Sequence, residues 1–165
     1  YKRSSHFRDW LTQFQGRERS AVPVDIIEQL LVELKKERIH NLATLNVKKV
    51  RLLLRKLRLT KYYEHIPQII RRITGLSPPQ INSEVEKLLC DMFDQIQEPF
   101  RVCAPINRKN FLSYSFVLHK LTQLLQLHDI HSRFPLLKSR QKLKEQDVIW
   151  KGICGMLSWE YIPSI

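Results

Sequence analysis

Residues 47–59 read Val-Lys-Lys-Val-Arg-Leu-Leu-Leu-Arg-Lys-Leu-Arg-Leu, and the order of apolar and charged positions in that run decides the fold class. At about 100° per residue, Val50, Leu53, Leu54 and Leu57 point one way. Lys48, Arg51, Arg55 and Arg58 form a second stripe beside them, and Lys49 and Lys56 lie on the other flank. This is the pattern of a helix lying half-buried with basic flanks in water. Asn46 precedes the run, and its short side chain suits a helix N-cap. Like charges packed on one short helix repel by ~0.2–0.5 kcal/mol per close pair. Lys48 and Lys49 also sit in the first turn, where the helix dipole disfavours cations. Selection for stability alone would place Glu among them, so the expectation is a polyanion partner that relieves the repulsion.

The helical spacing continues on both sides of this run. Upstream, Phe7, Trp10, Leu11 and Phe14 share one face, and Gly16 offers a stop. Pro23 suits the first turn of a second helix with the stripe Ile26, Ile27, Leu30, Leu31 and Leu34. Downstream, Thr60 is placed to cap a segment carrying Tyr62, Tyr63, Ile66, Ile69, Ile70 and Ile73 and closed by Gly75. Pro67 lacks an N–H, so a kink or break is expected there. Leu76-Ser77-Pro78-Pro79 is the clearest linker. Ser83 and Glu86 then form a capping-box pair for a helix through Val85, Leu88, Leu89, Met92, Phe93 and Ile96 that lasts until Pro99. Asn107 is expected to cap a long helix with Phe111, Tyr114, Leu118, Leu121 and Leu125. A turn around His131 to Pro135 leads to a last helix with Leu143, Trp150, Ile153, Cys154 and Leu157, followed by a tail, Trp159 to Ile165, that reads as extended. No convincing strand, repeat or low-complexity tract interrupts the pattern. The expected fold is all-α, a single compact bundle of about six to eight helices spanning residues 1–165.

A chain of 165 residues buries about 70% of its unfolded surface and needs no disulfide or metal to hold it. Cys90, Cys103 and Cys154 are odd in number and show no C-x-x-C spacing, which argues for a reducing compartment. No apolar run approaches the ~18 residues that span a bilayer, and no secretory leader is recognisable. A membrane partner is therefore not expected.

Charge is the outlying property. Lys plus Arg number 28 against 16 Asp plus Glu, for a net +12, and such a field concentrates polyanions near the surface. It is unevenly spread. Thr44 to Leu76 holds nine cations, namely Lys48, Lys49, Arg51, Arg55, Lys56, Arg58, Lys61, Arg71 and Arg72, against Glu64 alone. Ser77 to Phe100 is acidic, with Lys87 facing five carboxylates. Arg101 to Lys151 is basic again, and its densest part is Lys138, Arg140, Lys142 and Lys144, beside a Ser139 able to cap the helix that follows. If about six phosphates are neutralised, log affinity should fall with log salt at a slope of roughly −5.

Catalytic and metal chemistry is poorly supplied. His128-x-x-His131 with Cys103 matches no structural zinc spacing. The cysteines and histidines form no nucleophile signature, and there is no Gly-rich phosphate loop. Asp91 and Asp94 read as part of a solvated acidic face. Neither an enzyme nor a cofactor is expected. The Tyr62-Tyr63 pair beside Lys61 could stack on a base, which leaves RNA as a further candidate. The rival to nucleic acid is a protein–protein module whose basic helix docks on an acidic surface.

Several longer strings add to this reading. YKRSSHFRDWLTQFQG from Tyr1, KYYEHIPQIIRRITGL from Lys61, RKNFLSYSFVLHKLTQLL from Arg108, FPLLKSRQKL from Phe134 and QDVIWKGICGMLSWEYIPSI from Gln146 resemble the poxvirus late transcription factor 3-like family of nucleocytoplasmic large DNA viruses. The resemblance runs through essentially the whole chain, in order. It implies a factor for transcription of late viral genes, working with promoter DNA and the virus-encoded RNA polymerase or other late factors, in the host cytoplasm or nucleus. It also implies that these residues are the C-terminal domain of a longer protein with a zinc-binding segment before it. A zinc segment followed by a helical domain invites comparison with general initiation factor IIB, whose helical domains are cyclin-like. The helices from Val24 to Leu127 are expected to form such a unit. The resemblance carries no residue-level contacts. The candidate nucleic-acid-binding residues, Lys48, Lys49, Arg51, Arg55, Lys56, Arg58, Lys61, Arg71, Arg72, Lys138, Arg140 and Lys142, rest on charge and spacing.

Overall fold

A computed structural model describes residues 2–17, 22–76 and 78–165. Among these residues every regular element is helical, and the chain gathers into two compact units, residues 1–82 and 83–165. The division falls just past the Pro78-Pro79 linker; Ser77 lies outside the described residues.

In the first unit α1 (Lys2–Phe14) buries Phe7 and Leu11. It closes at Gly16, where φ is +64° and a Cβ would lie 3.0 Å from Pro78 Cγ, so both conformation and space call for glycine. α2 (Val24–Lys36) starts directly after Pro23 and buries Ile26, Ile27, Leu30 and Leu34. Leu31, expected on that stripe, faces solvent. α3 (Val47–Lys56) is capped by Asn46, whose Oδ1 accepts from Lys49 N at 2.9 Å, and it buries Val50, Leu53 and Leu54. The helix ends a turn short of Leu59. Arg58 turns to φ +58°, and Leu59 N donates back to Leu54 O at 2.7 Å. That is a Schellman cap with arginine in the place glycine usually fills. Arg38, Gln126 and Ser158 take the same left-handed conformation at other helix ends. Thr60 caps nothing; it opens a 3₁₀ stretch (Thr60–His65) whose own cap is Leu59. The chain then breaks into α4 (Ile66–Thr74), with Pro67 in the first turn where no N–H is needed and Gly75 at φ +73° as the stop.

The second unit holds α5 (Ser83–Gln95), α6 (Gln97–Cys103), α7 (Tyr114–Leu124), the single turn α8 (His128–His131) and α9 (Arg140–Leu157). The helix expected to last until Pro99 breaks at Ile96. Pro99 belongs to the first turn of α6, where its missing donor costs nothing. Asn107 does not cap α7. Ser113 does, accepting from Phe116 N at 3.4 Å, and residues 104–113 run as a loop. Phe111 packs edge-on against Phe100, ring centroids 4.7 Å apart, and against Phe93 at 5.5 Å; those aromatic contacts, not helix spacing, place it. Ser139 caps α9 by accepting from Lys142 N at 3.3 Å. α6 lies close on α9 because Gly152 has no side chain: a Cβ there would stand 2.8 Å from Cys103 Sγ. The tail from Trp159 onward has no regular structure.

Candidate nucleic-acid interface

α3 does not present its cations as one cluster. Lys49 Nζ lies 2.5 Å from Glu37 Oε1, and Lys56 Nζ lies 2.9 Å from Glu33 Oε2. Both carboxylates come from α2 and its C-terminus, so the flank carrying Lys49 and Lys56 is neutralised by the neighbouring helix. Glu33 is shared with Lys36 at 3.3 Å. Hydrogen bonds from Lys56 and Lys36 hold its carboxyl below the usual range, and the same bond to Glu33 raises the Lys56 ammonium. The opposite flank is different. Lys48, Arg51, Arg55 and Arg58 are exposed, and none has an ion-pair partner among the described residues.

Arg51 is held in place without being neutralised, since its guanidinium lies 4.7 Å from the centroid of the Tyr63 ring. Lys61 Nζ stands 5.2 Å from the Tyr62 ring centroid. The two tyrosines, offered by the sequence as base-stacking groups, are thus half-buried supports for cations. Arg71 and Arg72 close α4 and are exposed. Arg72 nevertheless donates to the Val22 carbonyl, while Gln68 Oε1 accepts from Val22 N at 2.6 Å. These two α4 side chains fix the backbone that leads into α2, so Arg72 has structural work.

In the second unit Lys138, Arg140, Lys142 and Lys144 are exposed around the start of α9. Arg108 and Lys109 come to this same region on the 104–113 loop: Arg108 shares a cleft with Lys144, and Arg108 and Lys109 share another with Lys142. Lys120 belongs to none of these surfaces. It is 1% exposed; its Nζ donates to Ile162 O at 2.6 Å and lies 3.5 Å from Asp147 Oδ1. Asp147 also accepts from Ser164 Oγ at 2.6 Å and from the Tyr161 hydroxyl. Burial pushes the Lys120 ammonium down against the pull of Asp147. Burial would raise Asp147 too, but the Ser164 and Tyr161 hydrogen bonds and the Lys120 charge outweigh it and leave the carboxyl below its ordinary value. Burial also pushes the neighbouring Cys154 thiol up to about 11 and Tyr161 up to about 12. The C-terminal tail is tied down by this buried cluster.

The sequence carried a signal for two buried charges, Glu33 and Lys120, that charge counting passes over. Glu33 falls among Ile26, Ile27, Leu30 and Leu34, and Lys120 falls among Phe116, Val117 and Leu121. A charge on an apolar stripe is seldom buried unless paired. His131 Nδ1 lies 3.1 Å from Thr122 Oγ1, and its ring stands 4.2 Å from that of His119. Among the described residues no three His, Cys, Asp or Glu side chains gather as a metal site would require, and no helix is long and apolar enough to cross a membrane.

Residues 1–161 match the family described as "Poxvirus Late Transcription Factor VLTF3 like". "Putative transcription factor A494R" of Paramecium bursaria Chlorella virus 1 is 44% identical over 165 residues, covering 100% of this chain and 46% of that protein. "Putative transcription factor R429" of Acanthamoeba polyphaga mimivirus is 41% identical, covering 100% of this chain and 38% of that protein. "Putative transcription factor 282R" of Invertebrate iridescent virus 6 is 30% identical over 183 residues, covering 98% of this chain and 47% of that protein. The chain therefore spans less than half the length of these relatives. No solved structure matches it.

Proposed function

The chain belongs to the poxvirus late transcription factor VLTF3-like family, and on that premise we propose that residues 1–82 bind promoter DNA during late viral transcription, without catalysis. The solvent-facing stripe of α3 carries the reading: among the described residues Lys48, Arg51, Arg55 and Arg58 are left without carboxylate partners while Lys49 and Lys56 on the same helix are paired. Exposed Lys61 and Arg71 belong to the same proposal as outer contacts. Phosphate contacts of this kind position a protein on a duplex and give no sequence readout of their own. Specificity would come from the rest of the late transcription machinery, including the virus-encoded polymerase. A cyclin-like arrangement of the helices is part of the same proposal, and an experimental structure that superposes on no cyclin box disposes of it.

Counting the four stripe cations alone, the expected slope of log affinity against log salt is roughly −3.5, and each outer contact that forms would steepen it by about 1. Anisotropy of a labelled duplex measures it. Changing Arg51, Arg55 and Arg58 to Glu should abolish binding at low salt, whereas unchanged affinity would dispose of the DNA reading. One observation favours the rival. Leu52 is 50% exposed on the same helix, and an apolar centre with a cationic rim suits a protein partner. Binding to a purified polymerase subunit that is lost in Leu52→Ser, with no duplex binding by the parent chain at low salt, would select that alternative.

A further inference from the structure

Where the 104–113 loop meets α9, a cleft of about 610 Å³ opens on the surface of the second unit. Its walls are of two kinds. Pro105, Val148 and the half-buried Cys103 give it an apolar floor, and Arg108 and Lys144 stand at its edge. Val148 is 64% exposed in mid-helix, and Ile106, at the tip of the loop beside the cleft, is fully exposed. A second cleft of about 490 Å³ shares Arg108 and adds Lys109 and Lys142. Glu145 borders both, with its carboxylate 3.3 Å from the Gln141 amide, so four cations face a single acid.

Arg108 joins the two clefts. One guanidinium nitrogen donates to Phe111 O at 3.2 Å, which fixes the side chain. Its Nε is buried and has no acceptor among the described residues. That atom is closed to a ligand, but Arg108 as a whole is half-buried and lines both clefts, where a ligand's carboxylate would meet the guanidinium with a charge-assisted bond. The apolar lining of the first cleft is aliphatic, and Phe111, which borders the second, is already packed edge-on against Phe93 and Phe100, so neither cleft offers the exposed aromatic platform that base stacking uses. Aliphatic floor and cationic edge together fit a peptide in which acidic residues alternate with bulky apolar ones.

We infer that this cleft docks an acidic, apolar-bearing segment of another protein. The apolar side chain covers Val148 and Pro105, and its neighbouring carboxylates meet Arg108 and Lys144. The inference is independent of DNA binding by the first unit, and it takes Lys142 away from the nucleic-acid candidates.

The test uses the full chain and three labelled probes: a twelve-residue peptide alternating Glu and Leu, one alternating Glu and Ser, and a 20-base-pair duplex. The Glu/Leu peptide is expected to bind at least tenfold more tightly than the Glu/Ser peptide. Val148→Glu should weaken it tenfold or more, as should Lys142→Glu combined with Lys144→Glu. Changing Arg51, Arg55 and Arg58 to Glu should leave peptide binding unchanged while removing the duplex. Should Val148→Glu disturb folding, Val148→Ser, a milder change at the same exposed floor position, gives the same reading. Equal binding of the two peptides would overturn the proposal, because charge alone would then suffice. So would indifference to both floor variants, failure of the Glu/Leu peptide to bind below the millimolar range, or self-association of the chain through this face.

Discussion

In residues 1–82 the carboxylates of Glu37 and Glu33 meet Lys49 and Lys56 along one edge of α3, whereas in residues 83–165 the carboxylate of Asp147 meets Lys120 inside the fold. The lysine partners differ most: Lys56 keeps 60% of its side chain in water and Lys120 keeps 2%. Screened pairs at an edge contribute little to stability, and here they decide which cations remain open to a polyanion. The interior pair has no role at the surface. It holds the tail through Ile162, Tyr161 and Ser164, and neither member can be lost without stranding the other. Counting cations treats Lys56 and Lys120 alike; the position of the nearest carboxylate separates them.

The sharpest way to break the comparison is to remove one lysine from each unit. Lys120→Met keeps the length of the side chain but leaves Asp147 buried with its main positive partner gone, and breaking such a pair costs about 3–5 kcal/mol. Urea unfolding should register that loss, and hydrogen exchange should show the tail and the α7 and α9 amides opening first. Adding Asp147→Leu should recover part of it, since coupled neighbours are not additive. Lys56→Met should leave the unfolding midpoint nearly unchanged. Equal effects from the two lysines would show that the buried pair has no special standing.

Glycines carry the contrast further with a smaller effect. Gly75 ends α4 at φ +73° with open space around its missing side chain, whereas Gly152 is helical and nearly touches Cys103 Sγ. Gly152→Ala is therefore an overpacking change, worth about 1–3 kcal/mol, and Cys103→Ala in the same chain should relieve most of it. Gly75→Ala costs through its backbone alone, and no neighbouring substitution should rescue it. Thermal melts of the paired variants check both. Absence of rescue by Cys103→Ala would mean that α6 and α9 are not in close contact there.

Much of the fold was legible because helix faces and caps are local. Asn46 and Ser139 cap the helices their positions announced, Gly16 and Gly75 stop α1 and α4, and Pro67 marks a break. The failures are also local in appearance but have distant causes. The end of α3 was hidden because Arg58 fills a left-handed cap that sequence assigns to glycine. The start of α7 moved from Asn107 to Ser113 because Phe111 is claimed by Phe93 and Phe100. Two stripes of α3 were visible from periodicity, yet which one stays open depended on Glu33 and Glu37, residues of a different helix. The Arg108 Nε, without an acceptor among the described residues, has no sequence signal at all, because it arises from loop packing.

Glu33 offers the smallest and most informative change. Its side chain is 10% exposed and holds Lys36 and Lys56 together, so on burial alone it resembles Asp147. The two carboxylates nevertheless differ in what surrounds their lysines. Glu33→Gln keeps the shape, releases two ammonium groups that already reach water, and leaves no buried charge behind. Its unfolding midpoint should stay close to the parent value, while Asp147→Asn, which strands the Lys120 ammonium, should not. The released Lys56 becomes available to phosphate, so duplex affinity at low salt should rise a few-fold and the salt slope should steepen by about 1. A steeper slope with unchanged stability would establish that the α2 carboxylates set the reach of the basic stripe. A stability loss as large as that of Asp147→Asn, with no change in slope, would show that the edge pairs hold the fold in the same way as the interior one.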